Sequence, residues 1–383
     1  MKNACLCLIL ICGVTSTARA QNEPRPAAKA GSTPIETLQQ NANDLVALNA
    51  LLADFAKAIT ENMTTDPEKA ERQIVEVRAM LKTLAPTTAP AKAALARAKQ
   101  TVESYDEYLE MTRTPLPVYE QKLRDAPNDV AAWGKYGRKI SGDLRSNARI
   151  EPEATADGLK AARMFVASLA EKVTSKPAKA QEETVGKLFA TIEQSIAHGR
   201  KLLALVGQKA APADFELWLN GSSLTQADLK GKVVLLDFWA VWCGPCIATF
   251  PHLREWQSKY ADKGLVIVGV TNYYDFQWDE KNGRPMRVAD TDNVKAGEKV
   301  DHLAEQDMLK RFAKHHKLEH RLAIQSEDRA FGKLFEVQAI PQYVVIDQTG
   351  VIRLVRVSSG RKNAIAIGEM IENLLAKPPG EAP

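Results

Sequence analysis

Two cysteines three residues apart, Cys243 and Cys246 in Trp242-Cys243-Gly244-Pro245-Cys246, are the side chains of this sequence best placed for covalent chemistry. The remaining cysteines, Cys5, Cys7 and Cys12, fall in an N-terminal stretch with the pattern of a cleaved export signal. A mature exported chain then carries one Cys-x-x-Cys pair and no third thiol. Such a pair has no place in a wider disulfide framework or a four-cysteine zinc site. What remains is a pair that opens and closes by thiol–disulfide exchange.

That chemistry needs a nucleophile, a resolving thiol and somewhere for protons to go. Val233 to Trp239 is a continuous apolar run broken only by Asp237, the pattern of a strand buried on both faces. Gly244 to Tyr260 follows with helical spacing, which places Cys243 at a helix N-terminus. Unpaired backbone N–H groups and the helix dipole there favour the thiolate, so Cys243 reads as the nucleophile. Cys246, one turn on, reads as the resolving thiol. Gly244 allows close approach, and Pro245 needs no donor in a first helical turn. A carboxyl inside an apolar strand is costly unless used or paired. Desolvation raises its pKa and fits Asp237 to take and return the proton of Cys246, a hydrogen-bonded structural carboxyl being the alternative. Trp239 reads as core packing, and Trp242 as a cover for the thiolate that also meets substrate.

With these residues in view, positions 207–377 resemble a thioredoxin-fold domain, and more narrowly the TlpA/ResA class of exported thiol–disulfide oxidoreductases. The resemblance is carried by Val234 through Cys246, by Pro251 five residues on, by Ile340-Pro341 ahead of a strand, and by Gly207-x-x-x-Ala211-Pro212-x-Asp214-Phe215. It implies an α/β thioredoxin-like fold, a mixed central sheet flanked by helices, with Cys243, Cys246 and Asp237 as catalytic groups. It implies a cis-proline at Pro341 that leaves the Ile340 backbone free to pair with an extended client. Substrate contact then falls to Trp242, Gly244, Pro245, Ile340 and Pro341, with no cofactor and no metal.

The partners implied are protein disulfides or dithiols and a CcdA- or DsbD-like membrane electron donor, with cytochrome c maturation as a client process. Gly-Pro between the cysteines and Ile before the proline are thioredoxin-like, which points to a reductase. Thioredoxin and the strong oxidant DsbA differ by roughly 150 mV, about 7 kcal/mol for two electrons, so these loop residues decide direction. Two departures stand out. The lysine that thioredoxin pairs with its buried aspartate has no visible counterpart, Thr271 and Asn272 occupying that strand end. Residues 273–301, opening with Tyr273-Tyr274-Asp275-Phe276-Gln277-Trp278, exceed the usual connection and read as a substrate-facing loop or, equally, as a self-packed surface loop. Two other functions compete. A thiol peroxidase needs a Thr-x-x-Cys loop, which has no match here. A helical interaction module with a redox-inert domain is opposed by intact Cys243, Cys246, Asp237 and Pro341.

The surrounding organisation follows from composition. Residues 1–20 carry Lys2, an apolar Leu6–Val14 stretch and Ala18-Arg19-Ala20, a secretory signal too short for a membrane span of about 20 residues. An uncleaved or lipidated anchor is the alternative, and a periplasmic location the expectation. Removing residues 1–20 takes Lys2 and Arg19 from the formal charge, lowering it from +4 to +2 and leaving no electrostatic footprint for nucleic acid. Residues 21–34 read as a flexible linker, 35–206 as an all-α helical domain, 207–377 as a redox domain complete in itself, and 378–383 as a tail. Helical spacing marks 90–111, 117–125, 129–147, 153–173 and 180–205, and Asp66-Pro67 is a helix start. Strands are expected at 214–219, 233–239 and 265–271, and a hairpin at 342–346 and 351–357. Further helices are expected at 303–316, 328–336 and 363–376. His315, His316 and His320 read as a solvated helix end, because no Glu or Cys partner has metal spacing.

Overall fold

The structure, a computed structural model, describes residues 33–212, 215, 217–288 and 300–376. The expected export signal, most of the expected linker, Asp214, part of the 273–301 loop and the expected tail lie outside the described residues. By its internal contacts the chain divides into two units, residues 1–143 with 161–189, and 144–160 with 190–383.

The first unit is helical. Its elements are α1 (Pro34–Gln40), α2 (Leu45–Thr65), α3 (Pro67–Thr83), α4 (Ala89–Arg113), α5 (Leu116–Asp125) and most of α6 (Val130–Arg145). The later part of α7 (Pro152–Ala167) and the first half of α8 (Lys176–Leu205) complete it. Side chains set the helix starts. Thr33 and Glu36 form a reciprocal capping box on α1, Asp44 caps α2, and Asp66 caps α3 with Pro67 in its first turn. Leu38, Leu48, Phe55, Ile59, Ile74, Leu81 and Leu95 form one apolar core.

The second unit is built on a six-stranded sheet in the order β1-β6-β3-β2-β7-β8. The strands are β1 (Leu217–Leu219), β2 (Val233–Phe238), β3 (Leu265–Thr271), β6 (Arg321–Ile324), β7 (Gln342–Ile346) and β8 (Ile352–Val357). β2, β3 and β6 run parallel, while β1, β7 and β8 pair antiparallel to their neighbours. β4 (Phe276–Asp279) and β5 (Arg284–Arg287) form a separate hairpin. The helices are α9 (Gln226–Leu229), α10 (Gly244–Ile247), α11 (Phe250–Tyr260), α12 (His302–His315), α13 (Ala330–Leu334) and α14 (Arg361–Leu375). This is the expected thioredoxin-like mixed sheet with helices on its faces. β2 is buried along its whole length, as its apolar run requires.

Alternation along the strands separates two cores. Val233, Leu235 and Trp239 face α11, α12 and α14, joined by Ile267, Leu322 and Val345. Val234, Leu236 and Phe238 face the other way, with Val268, Val344, Val355, Phe331 and Phe335. Leu202 and Leu205, from the end of α8, pack on this second face. The expected boundary at 206/207 therefore falls inside the second unit, because the sheet's second face draws its apolar cover from the preceding helix. Other expectations shift locally. The helix foreseen over 244–260 is two helices, α10 and α11, interrupted at Ala248–Thr249 just before Pro251. β6 and the β4–β5 hairpin are additions to what the sequence pattern foresees.

Candidate active site

Strand β2 delivers the chain into the cysteine motif at the C-terminal edge of the parallel strands, where open α/β sheets place their sites. Cys243 is the N-cap of α10 and is joined to Cys246 by a disulfide with a Cα–Cα distance of 5.2 Å. Cys246 donates its backbone N–H to Cys243 Sγ at 3.2 Å. Since α10 spans only Gly244–Ile247, this local N–H takes the place of a long helix dipole as the group acting on Sγ. Both sulfurs are buried, while Trp242 beside them is 49% exposed. Behind the pair, Tyr343 donates its hydroxyl to Thr249 Oγ1 (2.5 Å), and Thr249 donates to the Cys246 carbonyl (2.7 Å).

Asp237 sits in mid-strand, opposite Gly269 on β3 and Tyr343 on β7. Its side chain shares the face of Leu235 and Trp239, the face that also holds both cysteines. It is 1% exposed, and among the described residues neither carboxyl oxygen has a hydrogen-bond partner. Burial pushes its pKa up to about 8. The same burial, helped by the Asp237 charge, pushes the Tyr343 phenol further up.

The Ile340–Pro341 peptide is cis. Register places it beside the motif, because Gln342, the first residue of β7, is level with Phe238 at the end of β2. Among the described residues the Ile340 amide and carbonyl have no backbone partner. The structure thus brings Trp242, Cys243, Gly244, Pro245, Cys246, Ile340 and Pro341 to one sheet edge, with Asp237 in the core behind them.

His302, Glu305 and Arg329 join the site without a signal in the sequence, around the aromatic residues of the long loop. Tyr274 meets Trp242 edge to face at 5.5 Å between ring centres, and the Arg329 guanidinium lies 5.5 Å over the Tyr274 ring. Asn272 holds the Tyr274 hydroxyl at 2.9 Å, and His302 stacks on Tyr273 at 3.9 Å. The buried Glu305 carboxylate accepts the backbone N–H groups of Tyr274 (2.7 Å), Asp275 (3.1 Å) and Phe276 (3.3 Å). The described part of the long loop is therefore a braced aromatic wall beside Trp242. Glu305 has the sequence context of an ordinary first-turn acid, so only tertiary placement reveals its task. The solvated-histidine reading holds for the exposed His315 and is corrected for His316 and His320. His320 is 4% exposed, and the His316 ring packs on Phe312 and Phe250, because the turn after α12 folds inward against β3.

An oxidised Cys-x-x-Cys opening a helix at the edge of a thioredoxin-like sheet defines a thiol–disulfide oxidoreductase. Comparison with known proteins agrees. Residues 205–366 match the Redoxin family. The chain is 30% identical over 177 residues to the thiol:disulfide interchange protein DsbE of Pseudomonas fluorescens biotype C, covering 46% of this chain and 68% of that protein. It is 42% identical over 67 residues to the thiol-disulfide oxidoreductase ResA of Oceanobacillus iheyensis, or 16% of this chain and 34% of that protein. The thioredoxin-like protein YneN of Bacillus subtilis is 40% identical over 88 residues, or 23% and 50% of the two chains. The chain thus spans a third to a half of these last two relatives. A solved structure of a putative thiol:disulfide interchange protein DsbE from Chlorobium tepidum matches with a TM-score of 0.32 and 26% identity, over 44% of this chain and 97% of that one. The chain belongs to the ResA/DsbE-like thiol–disulfide oxidoreductases of the thioredoxin-like fold.

Proposed function

We propose that this protein is an extracytoplasmic disulfide reductase acting on protein disulfides. The observation that carries the reading is the closed Cys243–Cys246 pair beside a buried, unpaired carboxyl at the core end of the same site. In the reduced protein, Cys243 Sγ attacks one sulfur of the client disulfide, and the other client sulfur leaves as a thiolate and takes up a proton. Cys246 then gives its proton to Asp237, and its sulfur attacks Cys243. The mixed disulfide breaks, the second client thiolate leaves, and the Cys243–Cys246 bond forms. Two electrons pass from the pair to the client, so a dithiol donor must restore the pair. A membrane donor of the CcdA or DsbD kind would supply them in an exported compartment.

Protonation control supports this division of labour. Burial raises the Asp237 pKa to about 8, which makes it a far better acceptor for a thiol proton than an ordinary carboxylate. The unpaired Ile340 backbone offers an extended client one or two main-chain hydrogen bonds beside the sulfur under attack. Trp242 and the Tyr274–Arg329 wall form the client-facing rim, and residues 35–143 with 161–189 act as a docking unit. The export pattern at residues 1–20 supports the extracytoplasmic location; no helix among the described residues is long and apolar enough to cross a membrane.

The deciding experiment is insulin reduction with dithiothreitol as donor. Cys243→Ser abolishes turnover, and Cys246→Ser accumulates the mixed disulfide, because attack survives and resolution fails. Full turnover by Cys243→Ser would sink the assignment.

A further inference from the structure

Behind the cysteine pair lies a group of polar atoms that the exchange steps above leave without a role. Gly269 of β3 stands between Asp237 of β2 and Leu322 of β6, three residues level across adjacent parallel strands. A Cβ placed on Gly269 would lie 2.8 Å from Leu322 Cδ2, 2.9 Å from Trp239 Nε1 and 3.2 Å from His320 Nε2. The indole N–H and the imidazole therefore converge over the glycine, on the face where Asp237 projects one strand away. Cβ atoms of paired residues on neighbouring strands are about 5 Å apart. Among the described residues, the Asp237 oxygens, Trp239 Nε1 and both His320 nitrogens lack hydrogen-bond partners, and all three side chains are nearly solvent-free. Buried polar groups left unmatched are costly, so a shared arrangement of these donors and acceptors is favoured.

We infer that His320 is a positioning residue for Asp237. Its imidazole and the Trp239 N–H close a hydrogen-bond path across Gly269 that holds the Asp237 carboxyl in its protonated, donor form once it has taken the Cys246 proton and the disulfide has closed. The chemistry is complementary. A carboxylic acid donates one hydrogen bond and accepts others, a neutral imidazole accepts at one nitrogen, and the indole only donates. The histidine is held in place independently of the acid. Asn220 donates to the backbone carbonyls of Leu318 (3.0 Å) and His320 (3.2 Å), fixing the turn that aims the ring. Gly269 is required because any side chain would occupy the meeting point. Burial also keeps the imidazole neutral, its pKa pushed down to about 4, so at neutral pH it is an acceptor. The titratable groups around this face include Tyr343 from β7, Tyr260 from α11, Cys243 and Cys246, and His316 just after α12. The His316 ring lies on Phe312, which in turn stacks on Trp239. Burial alone displaces the pKa values of both Asp237 and His320.

The inference rests on Asp237 as the proton carrier, and the test separates the two. In the full-length protein, the side-chain 15N resonances of His320 are followed from pH 6 to 9, with Asp237→Asn as control. Coupling predicts that they move with the Asp237 titration and stay flat in Asp237→Asn. Resolution is timed with Ellman's reagent, whose second thionitrobenzoate is released when Cys246 attacks the Cys243 adduct. His320→Leu removes the acceptor and destabilises the protonated acid, so the pH midpoint of resolution moves down by about 0.5–1 unit, the size of one neutral hydrogen bond. His320→Gln, which keeps an acceptor at the Nε2 position, restores it. His320 resonances that ignore the Asp237 titration overturn the inference even if His320→Leu fails to fold. So does an equal displacement in the Leu and Gln variants, which would mean packing alone. Resolution in Asp237→Asn as fast as in the parent protein across this pH range would instead refute the proton-carrier reading.

Discussion

Replacing Asp237 with asparagine should change the pH dependence of folding stability more than stability at any single pH. The carboxyl's ordinary value is 3.8 and its folded value is about 8. A carboxyl with a raised folded pKa leaves stability intact below its unfolded pKa. It withdraws stability as pH rises, because the unfolded chain ionises first, and the loss levels off only above the folded pKa. Each pH unit crossed between the two values removes about 1.4 kcal/mol, so the loss accumulating between pH 5 and 8 is roughly 3–4 kcal/mol. The asparagine cannot ionise and removes this slope. Its buried amide costs about as much as the buried neutral acid, so the two proteins should have similar stability near pH 5 and diverge steadily above it. The assay is urea unfolding of the oxidised protein at half-unit intervals from pH 5 to 8.5, following the transition of the sheet unit by tryptophan fluorescence. Keeping the disulfide closed removes the two thiols from the titration, and other titrating groups cancel in the difference. The variant's advantage should grow to a midpoint difference of roughly 1–2 M urea by pH 8, for an m-value of about 2 kcal/mol/M. Parallel curves for the two proteins would mean that Asp237 is solvated or paired in solution, and the proton-carrier argument would lose its physical basis.

Four further outcomes follow from the same geometry. His320, held neutral by burial with its pKa lowered from 6.5 to about 4, withdraws stability as pH falls through that interval. His320→Gln should therefore flatten the acid limb of the stability profile by roughly 3 kcal/mol between pH 6.5 and 4. Leu202→Ala should cost about 2–5 kcal/mol in urea unfolding of the sheet unit, because Leu202 is buried on the sheet's second face. A fragment of residues 207–383, lacking both Leu202 and Leu205, should bind a hydrophobic dye and unfold at lower urea than residues 190–383; equal midpoints would restore a boundary at 206/207. Glu305→Ala strips three amides of their acceptor, at about 1–3 kcal/mol each. It should speed hydrogen exchange at Tyr274–Phe276 while leaving the Cys243–Cys246 bond able to form.

What the sequence discloses here depends on how local the cause is. The cysteine pair, the buried strand that feeds it and the acid within that strand are written in consecutive residues, and the structure assembles them as their spacing predicts. Helix starts at Thr33, Asp44 and Asp66 are local too, each decided by a side chain two or three residues from the amide it caps. β6 leaves little trace in the sequence, because four residues opening with an arginine, Arg321–Ile324, hold too little pattern to reveal a strand. The division of α8 between the two units is equally invisible, since an apolar stripe shows that a helix face is covered but not by what. The same limit governs the polar residues. Glu305 and Asp307 are both acids near the start of α12, yet one is buried and binds three amides while the other pairs with Arg311 at the surface. His320 looked solvated because it follows His315 and His316 in a polar stretch. Its burial is decided by a glycine 51 positions earlier in the sequence, Gly269, whose missing side chain opens the space the ring enters. The end of β3, where thioredoxin carries a lysine partner for its buried aspartate, holds Thr271 and Asn272. The partner inferred here comes instead from the neighbouring strand's approach, through a gap that only the folded register creates.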